Sequence, residues 1–208
     1  LEDAIADLEA AFPLLAKSAD RTREIVTYGV MAIARLRQGE NDLALQAAET
    51  AAELLTHSSP TSRYVLEGYA APAEVYLTLW EATLNALPVP AKPWEKLSQQ
   101  SLASLYKYAK VFPMSQPRYY LWQALYYWLK GQPAKASLAW QKSLEIAERS
   151  EMPYEQGLVH YEIGRHAAGI ERQQHLIQAG EIFRHLGATE DLTRTQALVD
   201  GALGNGIN

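Results

Sequence analysis

The sequence predicts an all-α fold, a stack of antiparallel helical hairpins with irregular repeat lengths, an α-solenoid of about ten helices. Three observations carry this. Apolar residues recur with a period of about 3.6 almost from end to end. No alternating run bounded by hairpin turns suggests a β-ribbon. The breaks between periodic segments are short and hold the Gly, Pro, Ser and Asn residues that stop and start helices.

The elements follow in order. In "LEDAIADLEAAF" Ile5, Leu8, Ala11 and Phe12 share one helical face. Asp20 is placed to cap a second helix running to about Arg37, with Gly39 as its stop. Asn41 or Asp42 begins the third. "THSSPTS" is a loop in which Ser59 and Pro60 read as a cap and a first helical residue. A long helix over about 61–86 contains Pro72, which should kink or divide it. "NALPVPAKP" holds three prolines in nine residues and is the clearest linker. Helix returns from Trp94 to about Val111, "FPMSQP" turns, and an aromatic segment occupies about 117–130. Four further helical segments end in the tail "GNGIN". The expected organisation is one domain over 1–203, with a sub-boundary at the Pro-rich linker 87–93 and a frayed tail at 204–208.

Composition narrows the function classes. The 208 residues suffice for a substantial core. The net charge is −5 and the Lys and Arg residues are scattered singly, so no basic stripe suits nucleic acid or an anionic membrane. Cysteine is absent, which removes disulfides, thiolate metal sites and a cysteine nucleophile, and fits a reducing compartment such as the cytoplasm. No apolar run approaches the ~20 residues of a membrane span, and no signal-peptide pattern opens the chain. The first residue is not Met and the helical pattern starts at once, so the chain reads as a piece of a longer protein.

Two stretches repeat one another. "YGVMAIARLRQGENDLALQAAETAAELL" and "YLWQALYYWLKGQPAKASLAWQKSLEIA" each give a helix, a Gly, a short turn and a second helix with small residues at spacings of four and three. Ala44, Ala48 and Ala51 follow Gly39; Ala136, Trp140 and Ser143 follow Gly131. Such a stripe lets the second helix approach the first. The pattern resembles the tetratricopeptide repeat. Tyr120 stands at its first aromatic, Ala124 at its Gly, Tyr127 at its Tyr, Ala136 at its Ala and Trp140 at its Phe. Gln123 replaces the usual Leu, and Pro153 comes late. Gly39 and Gly131 are 92 residues apart, which equals two units of about 46 rather than the standard of about 34.

A wider resemblance covers most of the chain. "GYAAPAEVYLTLWE", "YAKVFP", "LWQALYYWLKGQPAKASLAWQKSLEIAE" and "MPYEQGLVHYEIGRH" resemble the C-terminal helical-repeat region of large bacterial signalling ATPases of AAA or STAND type, often linked to an adenylate/guanylate cyclase domain. The resemblance implies a protein-interaction or regulatory module without catalysis of its own. No "GxxxxGK[ST]" is present, so ATPase or cyclase activity would lie in an upstream part.

The segment 119–131, "YYLWQALYYWLKG", is apolar almost all round. Tyr120 and Tyr127 fall together on the helical wheel; Tyr119, Trp122, Tyr126 and Leu129 form a second stripe, extended by Leu125, Leu121 and Trp128. Either other helices cover this coat, or it lines a groove that docks an apolar partner through Leu121, Trp122, Leu125, Trp128 and Leu129. A small apolar or aromatic ligand between helices near Trp122, Trp128 and Trp140 is a further alternative, and a stand-alone helical enzyme a third.

Other candidates are weaker. In "HYEIGRH" Glu162 and His166 share a face, Glu155 lies two turns earlier on it, and His160 points away; the spacing is met equally by helix-stabilising pairs, and His175 and His185 complete no ligand set. Glu145 and Glu148 read as a solvated face. Lys107 and Lys110 in "LYKYAK" read as the wet edge of an amphipathic helix rather than a nucleic-acid contact. No catalytic, cofactor or metal residue is assigned.

Overall fold

A computed structural model describes residues 2–18, 20–87, 89 and 91–204. Among them are ten α-helices and no strand. They are α1 (Glu2–Ser18), α2 (Arg21–Arg37), α3 (Asn41–Thr56), α4 (Leu66–Leu84), α5 (Trp94–Val111), α6 (Gln116–Leu129), α7 (Pro133–Arg149), α8 (Pro153–His166), α9 (Gly169–Leu186) and α10 (Thr189–Gly204). Single 3₁₀ turns at Arg63–Val65 and Pro113–Ser115 lead into α4 and α6. Of the tail expected to fray, Gly204 closes α10 and residues 205–208 lie outside the described residues. Among the described residues no helix is long and apolar enough to cross a membrane.

The chain forms two compact units, Leu1–Trp122 and Gln123–Asn208. The division falls inside α6, and the Pro-rich stretch 87–93 lies within the first unit.

In the first unit, Asp20 caps α2 by accepting the Arg23 N–H at 3.2 Å. The second cap differs from the sequence expectation. Ser62, not Ser59, accepts the Tyr64 N–H, at 3.3 Å, and Pro60 stays in the loop. The cause is a long-range bond: the Tyr108 hydroxyl on α5 lies 3.0 and 2.8 Å from the carbonyl oxygens of Ser62 and Arg63, and so holds the start of the helix there. Pro72 does not divide its helix; α4 runs unbroken through it. A proline inside a helix costs roughly 3 kcal/mol, and contacts on both sides offset it. Residues Gly68 to Leu77 of α4 are all buried.

The tightest of those contacts is with α2. A Cβ on Gly29 would lie 2.6 Å from the Gly68 Cα, and one on Gly68 would lie 2.4 Å from Ile25 Cγ2 and 2.8 Å from the Ile25 carbonyl oxygen. The two helices therefore meet backbone to backbone. Further along, Arg37 of α2 pairs with Glu74 of α4, both side chains mostly buried. The paired positions rise together along both helices, so α2 and α4 run in the same direction, with α3 packed on both. Ala44, Ala48 and Ala51, the small-residue stripe of α3, are each 0 % exposed. Ile5, Met31, Leu36, Leu45, Val75 and Leu79 fill the core among these helices, with Leu8 and Phe12 of α1 against it.

In the second unit, α8 and α9 also pack through glycines, which here receive side chains. A Cβ on Gly157 would lie 2.7 Å from Phe183 Cε1, and one on Gly164 would lie 2.7 Å from Leu176 Cδ2. Each pair is seven residues apart on its own helix, two turns, so the contacts repeat along one antiparallel seam. Ala136, Trp140 and Ser143, the counterpart stripe on α7, are buried.

Helix ends are closed alike. Gly131 (φ +68°) donates to the Trp128 carbonyl and Gln132 to the Tyr127 carbonyl, both at 2.9 Å; Gly39 (φ +76°) and Glu40 do the same at the end of α2. Glu151 closes α7 with the same pair of bonds at φ +51°, without the freedom of a glycine.

Gly68→Ala is expected to destabilise the chain by about 2–3 kcal/mol, because the added methyl meets backbone that cannot move aside; thermal unfolding checks it. Glu151→Gly is expected to stabilise by about 1 kcal/mol, by relieving the left-handed conformation, read as a rise in the denaturant midpoint.

Candidate binding groove

The first unit carries a groove of about 720 Å³ bounded by α3, α4 and α5. It exists because α4 packs against both α3 and α5 while the facing stretches of those two helices stand apart. α3 supplies one wall with Glu49, Ala52, Glu53, Leu55 and Thr56; α5 supplies the other with Leu97, Gln100, Ala103, Ser104 and Lys107. Tyr69, Pro72 and Tyr76 of α4 form the floor. From Leu97 to Lys107 the α5 wall is about 15 Å long. A Lys92–Glu49 ion pair at 2.8 Å stands at one edge. Glu53 on one wall and Lys107 on the other are exposed, and neither joins an ion pair with a described residue.

The floor has an unusual polar content. Tyr76 is 2 % exposed and Tyr69 4 %. Neither hydroxyl bonds to a described residue, and neither oxygen is sealed from solvent. Burial, and then the Glu49 carboxylate, push the Tyr76 hydroxyl well above the usual tyrosine range, so it remains a proton donor. Burial raises Tyr69 likewise. Tyr69 stacks on Tyr108 with ring centroids 4.4 Å apart, and it also borders a smaller hollow of about 150 Å³ near Ile25 and Val65.

Leu121, Trp122 and Leu125 are buried; Trp128 and Leu129 are half-buried. Within the second unit Trp128, Trp140 and His166 form a cluster, with His166 stacked on Trp140 at 5.4 Å and 4.9 Å from Trp128. Lys107 and Lys110 are exposed, as a wet helix edge requires, and Lys110 lies over the Tyr106 ring.

The "HYEIGRH" constellation is electrostatic. Glu162 is 3 % exposed and accepts two bonds from Arg165, at 3.0 and 2.8 Å, with His166 Nε2 at 3.6 Å. Burial pushes its carboxyl up, but Arg165, His166 and Arg194 outweigh that and hold it down at about 2. Glu155 is buried on the same helix. No group of three or more His, Asp or Glu side chains placed to hold a metal occurs among the described residues. His160 turns to the other side of α8, where its Nδ1 lies 2.8 Å from His175 Nδ1 on α9. One ring donates and the other accepts, so the contact needs at least one neutral ring. Burial, then the His175 charge, lower His160 to about 4; burial also lowers His175.

Sequence reasoning did not find the groove. Its floor lies in "GYAAPAEVYLTLWE", which the sequence shows only as part of a long Pro-containing helix and of the wider resemblance. The available signal was two tyrosines seven residues apart on one face, with a proline between them. The His160–His175 contact had no signal either, since the residues lie on different helices. No family model, curated protein or solved structure matches the chain.

The histidine pair predicts a pH dependence. Both rings have folded values below the ordinary histidine value, so the unfolded chain binds more protons on acidification. Their contribution is present above about pH 6.5 and is lost as pH falls toward 4, on the order of 1–3 kcal/mol. Glu162 contributes its own loss only below its ordinary range, so unfolding at pH 7 and pH 5 isolates the histidines. His160→Gln should remove at least half of the difference between those two pH values.

Proposed function

We propose that this chain is a non-catalytic protein-interaction and regulatory module, the C-terminal part of a larger cytoplasmic signal-transduction ATPase or cyclase-like protein. The groove of about 720 Å³ in the first unit carries the reading. It is concave, its floor is built from the rings of Tyr69, Pro72 and Tyr76, and at its edges Glu53 and Lys107 join no ion pair with a described residue. Those features suit docking. The resemblance to helical-repeat regions of signalling ATPases supports the same assignment, since paired helices present extended surfaces to partners. A second reading, a small-ligand sensor, uses the same groove, whose volume lies in the range of small-molecule sites.

The test places a photo-crosslinking benzoylphenylalanine at Ala103, on the groove edge, or at Leu138, exposed on α7, in the full polypeptide that carries this chain. The expected outcome is one defined crosslinked segment at position 103, lost when Ala52→Trp fills the groove. Equal labelling at both positions would sink the proposal.

A further inference from the structure

Resting on the reading of the groove as a docking site, we propose that its occupant is a short, basic, amphipathic peptide segment. Its apolar side chains would sit on Ala52, Leu97 and Ala103, and its cationic side chain would face the Glu49–Glu53 wall. Three observations converge on this chemistry.

The first is charge. The α3 wall carries two carboxylates, and Lys92 meets only that of Glu49; Glu53 has no ion-pair partner among the described residues. A cation entering along α3 gains a neighbour there without displacing one. The net charge of −5 draws the same kind of partner over longer range. Lys107 on the opposite wall fixes polarity, since it suits a carbonyl or carboxylate at the other edge of the segment.

The second is the floor. The Tyr76 hydroxyl is a protonated donor, lies in a residue 98 % removed from solvent, and bonds to no described residue. Covering it with a purely apolar molecule would strand it, and stranding a buried donor opposes binding. A backbone carbonyl of a peptide satisfies it.

The third is shape. The α5 wall runs about 15 Å and the α3 wall about 10 Å, and their upper edges are exposed residues, so the groove is open along its length. About two turns of helix fit between the two walls.

Fluorescence anisotropy with a labelled octapeptide KLLKALLK, its acidic counterpart ELLEALLE, and the dye anilinonaphthalene sulfonate tests the assignment. The basic peptide should bind saturably and the acidic one should not. Glu53→Lys should weaken binding about tenfold, whereas Glu145→Lys, the same charge change on exposed α7, should alter it less than about twofold. Tyr76→Phe should weaken binding about three- to fivefold with an unchanged melting temperature, because the hydroxyl has no partner to lose in the free chain. Equal losses in Glu53→Lys and Glu145→Lys would mean undirected charge attraction and overturn the proposal. Binding of the acidic peptide, or of the dye alone with loss in Ala103→Trp, would overturn the basic-peptide assignment while keeping the groove as a docking site. Failure of every probe to bind would remove both.

Discussion

The first unit depends on one contact, the meeting of α2 and α4 at Gly29 and Gly68. With no side chain on either residue, two helix backbones come within van der Waals reach, closer than alanine on either side would permit. Everything nearby takes its position from that approach. Val75 and Tyr76 are carried into the core, Glu74 is brought to Arg37, and α3 closes the outer side through a stripe of alanines. The Arg37–Glu74 pair depends on the same approach. Two mostly buried charges are tolerated because each neutralises the other, and removing one partner from such a pair costs about 3–5 kcal/mol.

The groove is a consequence of this packing rather than an addition to it. α4 is surrounded closely enough that Pro72 remains inside a continuous helix. The helices on either side of it, α3 and α5, do not close over its outer face between Tyr69 and Tyr76. The open strip keeps two tyrosine hydroxyls without bonds to described residues. Tyr108 shows the contrast: its hydroxyl meets two carbonyls and sets where the preceding helix begins.

The second unit solves the same problem with different chemistry. Gly157 and Gly164 accept Phe183 and Leu176 along one seam, and the His160–His175 bond joins the same two helices. On the other side of α8, Glu162 holds Arg165 and His166. One helix thus carries a neutral hydrogen-bonded pair on one side and a charged network on the other, a separation that follows from its 3.6-residue period.

The sequence by itself determined the helices. The period, the Asp20 cap, the Gly39 and Gly131 stops and the Trp94–Val111 span are all local, depending on neighbours within one or two turns, and the structure has each of them. The division of Glu162 and His166 from His160 on two faces of one helix was legible for the same reason. Tertiary structure decided what local rules do not reach. It moved the cap from Ser59 to Ser62 through Tyr108, 45 residues away or more. It kept Pro72 in a continuous helix and set Gly29 against Gly68. It joined His160 to His175, and it left the strip over Tyr69 and Tyr76 open. Each of these depends on which helix faces which and how closely. That is settled by packing among distant residues, a property that no single stretch of the chain contains.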